Sequence, residues 1–258
     1  MHSTVVIVGL GEVGKPLLEI MKSRYQTFGV DINQPASISG CHVMHVCFPF
    51  QSEKFCRQVV EYIDQYRPAL TVINSTVAPG TTRSIAVESG TAVVHSPVRG
   101  KHVRMQEEML HYTKFIGALD PRSGQRAIEH FEGVGMKTKL LASPEASEIA
   151  KLTETTYFGL LIAWAQEVER YCMKLGANYD EVVSFYDEIK FFPPVKYFPG
   201  EIGGHCVMPN IAILRQRFSS GLLEAIVKSN TLKQKNLGSD GWLGASGLPV
   251  AQLGQGSQ

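Results

Sequence analysis

The stretch Thr4-Val5-Val6-Ile7-Val8-Gly9-Leu10-Gly11-Glu12-Val13-Gly14 decides the fold of this chain. Its first five residues are all β-branched and predict a strand from Thr4 to Val8, and a helical pattern follows from Glu12 to Ser23. The glycines between the two elements are spaced as G-x-G-x-x-G. In a turn from strand to helix, this spacing permits a tight turn, a close approach of phosphate groups to the backbone, and close packing of helix on strand.

Asp31 completes a dinucleotide-binding pattern around this turn. It ends the second predicted strand, Thr27 to Asp31, twenty residues after Gly11. A carboxylate at that place accepts hydrogen bonds from a ribose 2′-hydroxyl and repels the 2′-phosphate of NADP, so the pattern favours NAD. A domain that has lost its ligand, a flavin site and a site for a nucleotide alone are the alternatives. The predicted cofactor-binding residues of this segment are Gly9, Gly11, Glu12, Val13, Gly14 and Asp31.

The rest of the first 142 residues repeats the alternation of strands and helices. Further strands are predicted at residues 42–46, 70–74, 92–95 and 114–118, and an amphipathic helix at residues 52–66. Strands that are apolar almost throughout and separated by helices are typical of a parallel sheet covered on both faces. We therefore expect an α/β fold in which residues 1–142 form a Rossmann-type doubly wound parallel sheet that binds NAD.

A helical second domain is predicted for residues 143–235. Ser143, Pro144 and Glu145 supply the cap, the first-turn proline and the first-turn acid of a helix start, and the next stop signal follows at residues 176–178. A helix of this length carries more apolar side chains than one small domain can cover. We therefore expect it to be the spine of the domain and the interface of a homodimer. The apolar residues that lead this surface are Leu160, Leu161 and Trp164.

Shorter elements complete the chain. Helices are expected at residues 179–189 and from Pro209 to about residue 235, with a loop rich in proline and glycine between them. Residues 236–258 have no periodicity, and they are predicted to form a disordered tail.

Composition and charge exclude several classes of protein. Lys plus Arg number 25 and Asp plus Glu 24, so a net charge of +1 gives no broad field for nucleic acid or an anionic membrane. The longest apolar stretch, Tyr157 to Ala165, is well short of the roughly 20 residues of a membrane span. The start of the chain has no basic region of a signal peptide. Five cysteines at irregular spacings favour a reducing, cytoplasmic location over a disulfide framework.

Four motifs follow the glycine turn along the chain: C-F-P at residues 47–49, N-S-T-V-A-P-G-T-T at 74–82, K-L-T-E-T-T-Y at 151–157 and F-P-G-E-I-G-G-H-C-V at 198–207. In this order and spacing they resemble the UDP-glucose/GDP-mannose dehydrogenase family of nucleotide-sugar 6-dehydrogenases. The resemblance covers residues 5 to about 215 and implies NAD as the cofactor. This chain ends where that family begins a third, nucleotide-gripping domain, so it resembles a short version without that C-terminal domain.

The resemblance also implies roles for individual residues. In the family, NAD takes a hydride from a primary alcohol of a nucleotide sugar, and a loop cysteine captures the aldehyde. A second NAD takes a second hydride, and water hydrolyses the thioester. The matching nucleophile is Cys206, Lys151 matches the lysine that steadies the oxyanion, and Thr76 matches the threonine near the nicotinamide. Phe48 and Pro49 are expected beside the cofactor. Without the resemblance, Cys206 also fits a buried apolar cysteine. Lys151 also fits a solvated lysine on the surface of a helix.

Three positions depart from the family's pattern. The family has S-P-E where this chain has Ser96-Pro97-Val98, an asparagine where Thr155 stands, and an aspartate where Asn210 stands. A valine cannot move a proton, and an amide is a poor base. We therefore expect the hydrolysis of a thioester to be impaired in this chain.

Basic residues crowd after the Ser96-Pro97 turn, at the end of a sheet strand where doubly wound folds bind ligands. They predict a pocket for a small anionic substrate, and a solvated loop is the alternative. His95 and His205 are candidate acid–base groups because an unperturbed histidine titrates near neutrality. The predicted substrate-binding residues are Arg99 and His102, with Lys101 and Arg104 beside them, and His205 and Asn210. No metal is expected at Cys41, His42, His45 and Cys47, because alternate side chains of a strand point to opposite faces.

Together these features predict an NAD-dependent oxidoreductase of the nucleotide-sugar dehydrogenase type, with hydride transfer from an alcohol or aldehyde. Its predicted partners are a small anionic substrate, such as a nucleotide sugar, and a second copy of the chain. One alternative, favoured by Val98 and Asn210, is a non-catalytic NAD-binding module that senses the cofactor or scaffolds a partner. Another is a small β-hydroxyacid dehydrogenase, which shares a Rossmann domain and a long helix bearing a lysine but has no such cysteine loop.

Overall fold

The computed structural model describes residues 3–31, 38, 40–51, 53–99, 104–188, 199–203 and 206–239. The chain divides into two compact units, Met1–Glu154 and Thr155–Gln258. The division falls inside the long helix that the sequence predicts at the start of the second domain. Among the helices of the described residues, none combines the length and apolar character that crossing a bilayer requires.

The first unit contains one sheet with the strands β1 (Thr4–Val8), β2 (Gln26–Val30), β3 (Val43–Val46), β4 (Leu70–Ile73), β5 (Val93–His95), β6 (Lys114–Ala118) and β7 (Thr138–Leu141). Their order in the sheet is β2-β1-β3-β4-β5-β6-β7. The first five are parallel, as predicted, which confirms the α/β doubly wound fold. β6 is antiparallel to β5, and β7 is parallel to β6.

β6 reverses the direction of the first five strands in an otherwise parallel sheet. Only α4 (Met105–His111) is described between β5 and β6, and it has seven residues. β6 begins at the edge where the parallel strands end, because it pairs antiparallel with β5.

Helices cover both faces of this sheet. They are α1 (Gly14–Lys22), α2 (Glu53–Tyr66), α3 (Thr81–Ser89), α4 and α5 (Pro121–Glu132). Val5 of β1 belongs to a buried cluster with Phe131 of α5, and Val6 belongs to another cluster with Phe55 of α2. Burial of alternate residues in opposite clusters explains why β1 is β-branched without interruption.

The second unit is helical. α6 (Pro144–Leu175) confirms the long predicted helix, and α7 (Tyr179–Ser184), a 3-10 helix at Phe185–Glu188, α8 (Val207–Arg215) and α9 (Gly221–Ser239) follow. The prediction of one helix from Pro209 to about residue 235 is wrong, because the chain turns between α8 and α9. Ser220 caps the start of α9, where its hydroxyl oxygen accepts from the Leu223 N–H. α9 includes residues 236–239 of the predicted tail, and residues 240–258 lie outside the described residues.

Candidate cofactor site and cysteine loop

The strand order creates a crevice in the first unit. From β1 the chain passes to β2 on one side and then to β3 on the other side of β1. Ligands of doubly wound folds bind where the order reverses, beyond the carboxyl ends of the strands. The glycine turn leaves β1 at this point, and residues 47–49 leave β3 beside it. The topology therefore brings two of the predicted cofactor segments to one edge.

The glycine turn has the geometry of a close approach between backbones. Gly9 has φ +91°, and a Cβ atom there would lie 2.8 Å from the Phe48 nitrogen. A Cβ on Gly14 would lie 1.8 Å from the Gly9 carbonyl oxygen, so glycine at position 14 lets α1 begin against the turn. A Cβ on Gly11 would meet no described atom within 4 Å. The turn thus packs on one side and is open at Gly11, which suits a pyrophosphate.

The start of α1 and Asp31 flank that open side. Val13 stands at the N-cap of α1 with a side chain that cannot accept a hydrogen bond, and Glu12 before it is exposed. The positive end of this helix therefore favours an anion. Asp31, directly after β2, accepts from the Leu10 N–H at 3.3 Å. Its carboxylate adjoins the glycine turn, as an acceptor for a ribose hydroxyl requires, so these residues fit a dinucleotide.

Ser75 joins the segments that leave β3 and β4. Its hydroxyl donates to the Phe48 carbonyl at 2.6 Å, and the Phe48 ring packs 5.0 Å from the ring of Phe55. Thr76 follows Ser75 and is half-buried, whereas Pro49 is exposed. The predicted residues Phe48, Pro49 and Thr76 therefore share the carboxyl edge of the sheet with the glycine turn.

His95 is a buried structural residue at the end of β5. Its Nε2–H donates to the Ser75 carbonyl at 3.2 Å, so its Nδ1 accepts from the Ser147 hydroxyl at 2.5 Å. Burial lowers the pKa of His95 to about 3, although the bond to Ser75 opposes this. The ring is therefore neutral at physiological pH, and it links β5 to α6.

Glu148 of α6 caps the start of α3. The buried carboxylate accepts from the Gly80 N–H at 2.6 Å, the Thr82 N–H at 2.9 Å and the Thr82 hydroxyl at 2.6 Å. Burial raises the pKa of Glu148, and these donors oppose the shift. The contact fixes the segment that contains Thr76 to α6, one turn before Lys151. Sequence reasoning missed Glu148, whose only signal is its spacing of three residues from Lys151.

Two buried amides hold the loop before Cys206 in the second unit. The Asn230 side chain accepts from the Ile202 N–H at 2.8 Å and donates to the Ile202 carbonyl at 3.0 Å. The Gln166 amide donates to the Gly200 carbonyl at 2.6 Å. Sequence reasoning missed both residues, since their partners are distant in sequence. The loop is thereby fixed between α6 and α9.

Cys206 stands at the N-cap of α8, where it is exposed and forms no disulfide. The alternative of a buried apolar cysteine is therefore wrong at this position. Val207 packs against Gly159 of α6, where a Cβ would lie 2.6 Å from the valine Cγ1. The single glycine inside α6 thus lets the first turn of α8, and with it Cys206, approach the long helix.

The positions that depart from the family's pattern are engaged in contacts of their own. Asn210 is buried and donates from Nδ2 to the Thr155 hydroxyl at 2.7 Å, so two of the departures contact each other. Val98 lies in the hydrophobic core with Met105 and Met109. Its side chain is thus part of the packing of the first unit.

The predicted anion-binding residues are only partly described. Arg99 donates to the Glu154 carboxylate at 2.5 Å and lies over the rings of Tyr112 and Phe115 at 5.4 and 5.7 Å. Arg104 is 3.6 Å from Glu108. Arg99 is therefore already held by a carboxylate. Lys101, His102 and His205 lie outside the described residues.

Comparison with known proteins shows which dehydrogenases this chain resembles. The model of the UDP-glucose/GDP-mannose dehydrogenase family, central domain, matches residues 145–232. UDP-N-acetyl-D-mannosamine dehydrogenase of Methanocaldococcus jannaschii is 25% identical over 79% of this chain and 59% of that protein. NDP-N-acetyl-D-galactosaminuronic acid dehydrogenase of Ralstonia solanacearum is 24% identical over 79% of this chain and 62% of that protein. The chain thus spans less than two thirds of the length of either relative.

A solved structure has the same fold. The UDP-D-ManNAc dehydrogenase of Pyrococcus horikoshii superposes with a TM-score of 0.78 and 20% identity, over 91% of this chain and 70% of that one. The family match covers α6, α8 and most of α9, and the relatives extend the likeness over the first unit. Residues 145–232 thus match the central domain of the UDP-glucose/GDP-mannose dehydrogenase family, and the relatives support the nucleotide-sugar dehydrogenase family for this chain.

Proposed function

We propose that this protein is an NAD-dependent dehydrogenase that oxidises a nucleotide sugar at a CH–OH group, with Cys206 as a covalent nucleophile. One observation carries the proposal: the chain combines an open glycine turn beside Asp31 with an exposed thiol behind an anchored loop. The relatives' names make nucleoside diphosphate N-acetylhexosamines the first substrates to test. A cytoplasmic location belongs to the same proposal, because none of the five cysteines forms a disulfide.

The residues of the first unit bind and orient the cofactor. The open side of Gly11 and the N–H groups at the start of α1 hold the pyrophosphate, and Asp31 accepts from a ribose hydroxyl. NAD, when bound, supplies the hydride acceptor. Thr76, on the segment that Glu148 fixes, lies at the same carboxyl edge of the sheet and would contact the nicotinamide half of the cofactor.

Cys206 and Lys151 carry the chemistry of the substrate carbon. Loss of the first hydride and the hydroxyl proton turns the alcohol into an aldehyde, and the Cys206 thiolate then adds to its carbonyl carbon. Lys151 stabilises the negative oxygen of this adduct. Loss of a second hydride restores the carbonyl as a thioester, so each thioester formed corresponds to two NADH.

The proposed cofactor preference is tested by binding. The unmodified protein is expected to bind NAD(H) more tightly than NADP(H), because the Asp31 carboxylate repels a 2′-phosphate. Asp31→Ala is expected to weaken NAD binding by about 10- to 100-fold, because it removes hydrogen bonds to a charged acceptor. The variant should also discriminate less between NAD and NADP. Asp64→Ala, at an exposed acid of α2, is the control. Calorimetry that shows equal or tighter binding of NADP by the unmodified protein would contradict the assignment of Asp31.

A homodimer through α6 is the second part of the proposal. Tyr157, Trp164 and Tyr171 are spaced by seven residues, so they share one side of the helix, and they are 51%, 53% and 52% exposed. Leu160 and Leu161, expected to lead this surface, are half-buried. Burial of such an aromatic row against the same row of a second copy would remove it from water and stabilise a dimer.

Light scattering is expected to give twice the chain mass of 28.4 kDa at micromolar concentration. Trp164→Glu is expected to give the monomer mass, because it places a charge in the row. Val87→Glu, at an exposed apolar residue of the first unit, should leave the dimer intact. A monomer mass for the unmodified protein contradicts the prediction.

A non-catalytic NAD-binding module is the second candidate function. The buried Val98 and the Asn210–Thr155 hydrogen bond favour it, because neither position offers a carboxylate for proton transfer. Such a module binds NAD and produces no NADH with any substrate, so measuring turnover together with binding separates the two functions.

A further inference from the structure

A buried lysine lies at the cofactor edge of the sheet. Lys114 is the first residue of β6, which begins where the parallel strands end. Its Nζ donates to Asn74 Oδ1 at 3.1 Å, to the Ser96 carbonyl at 2.6 Å and to the Pro97 carbonyl at 3.3 Å. Three acceptors match the three N–H bonds of an ammonium group. Within the described parts of the chain, no carboxylate pairs with this group, so its charge is not neutralised there.

A chain of hydrogen bonds leads from Lys114 through uncharged side chains. The Asn74 amide donates to His45 Nδ1 at 3.1 Å, so the Nε2–H of His45 donates to Nε2 of His130 at 2.8 Å. Burial lowers the pKa of His45 well below its ordinary value and that of His130 to about 4. Both rings are therefore neutral near pH 7. Lys114 is the source of charge in this chain of hydrogen bonds.

Lys114 lies on the side of the crevice where the nicotinamide half of a dinucleotide would bind. Asp31 and the glycine turn place one ribose and the pyrophosphate at the ends of β2 and β1. The other half of a dinucleotide bound there would extend across β3 toward β4 and β5, which follow β1 in the strand order. Asn74 and Ser96, which accept from Lys114, directly follow β4 and β5. The buried ammonium group thus lies on the nicotinamide side of the site.

We propose that the buried charge of Lys114 makes this protein bind NADH more tightly than NAD. The oxidised nicotinamide ring carries a positive charge and the reduced ring carries none, so a nearby buried cation repels only the oxidised form. Two unit charges about 10 Å apart at a dielectric constant of about 20 give an effect of about tenfold in affinity. This inference rests on the proposed function, since it requires that the crevice bind NAD.

The preference is expected to depend on pH. Burial lowers the pKa of Lys114 to about 7, and the Lys151 charge acts in the same direction, whereas a Cys47 thiolate would oppose them. Burial raises the pKa of Cys47 to about 12 and lowers that of His95 to about 3, so both stay neutral from pH 6 to 8.5. The charge near the nicotinamide therefore decreases as Lys114 loses its proton. The titratable groups that face Lys114 or act on it are Cys47 after β3, His45 on β3, His95 on β5, His130 on α5 and Lys151 on α6.

The test is the ratio of the dissociation constants of NAD and NADH, measured by calorimetry at pH 6 and pH 8.5. For the unmodified protein, the ratio is expected to exceed one at pH 6 and to fall about tenfold by pH 8.5. Lys114→Met should give the low ratio at both values, and Lys114→Arg, which keeps its charge, the high ratio at both. Lys139→Met, at an exposed lysine of the neighbouring strand β7, should behave as the unmodified protein.

A ratio that does not change with pH in the unmodified protein overturns the inference, and this readout requires no variant to fold. A Lys114→Met variant that is folded and keeps the pH-dependent ratio also overturns it. If NAD and NADH bind with equal affinity, the proposed cofactor site stands and the role of Lys114 is refuted. If neither dinucleotide binds, the proposed function itself is refuted, and the inference with it.

Discussion

Replacing Asn230 with leucine is expected to lower the free energy of unfolding by about 2–4 kcal/mol. Asn230 is buried, and its amide satisfies both the N–H and the carbonyl of Ile202. Leucine has a similar size and no polar atom, so the variant leaves both backbone groups buried without a partner. Because this loop precedes Cys206, hydrogen exchange at residues 199–203 is expected to increase as well.

Thr231→Val on the same helix is the matched control for this prediction. Thr231 is exposed, and its hydroxyl donates only to the Val227 carbonyl of α9. Denaturant unfolding should show a much lower free energy of unfolding for Asn230→Leu than for Thr231→Val. Surface substitutions usually change the free energy of unfolding by less than about 0.5 kcal/mol. If the free energies of Asn230→Leu and the control differ by no more than this, the loop does not depend on Asn230.

Replacing Lys114 with methionine is expected to remove a rise of about 2 kcal/mol in the free energy of unfolding between pH 7 and pH 9. The pKa of Lys114 is lowered by burial from its ordinary 10.5 to about 7 in the folded protein. In this range the unfolded chain therefore binds more protons than the folded one, so stability rises with pH. A methionine cannot bind a proton and removes this contribution.

Denaturant unfolding at pH 7, 8 and 9 checks this prediction, with Lys139→Met as the control. Burial raises the pKa of Cys41 to about 11 and of Cys47 to about 12, so these thiols oppose the rise near pH 9. They are present in every variant, and the difference between variants isolates Lys114. Stability curves of the unmodified protein and Lys114→Met that run parallel from pH 7 to pH 9 contradict the lowered pKa.

Local patterns predict the elements that form the frame of this fold. β1 and α6 match their predicted bounds because a β-branched run and a capped helical pattern are encoded within the segments themselves. The sequence predicts β6 as a strand, but its direction depends on pairing with β5, which no local pattern encodes. β7 has two half-buried and two exposed residues, so it lacks the buried, mostly apolar run that marks β1, β3 and β4.

The residues of the candidate site also fall into two groups, those that local patterns predict and those that depend on distant contacts. The glycine turn and Asp31 are recognisable because spacing along the chain determines their geometry. Glu148, Asn230 and Lys114 act through partners 17 to 68 residues away in sequence, and no local pattern reveals such contacts. Lys114 in particular opens an otherwise apolar strand, where its burial follows from the antiparallel pairing of β6.

The most direct test of the proposed function follows NADH and the mass of the intact protein with a panel of nucleotide sugars. We expect NADH to form and a thioester to accumulate on Cys206, since the missing carboxylates at Val98 and Asn210 should slow hydrolysis about 10²–10⁴-fold. Cys206→Ser should show no such adduct. Steady release of free acid with two NADH per substrate would show that other residues carry the hydrolysis. Clean NAD binding without NADH from any nucleotide sugar would contradict the central claim that this protein is a dehydrogenase.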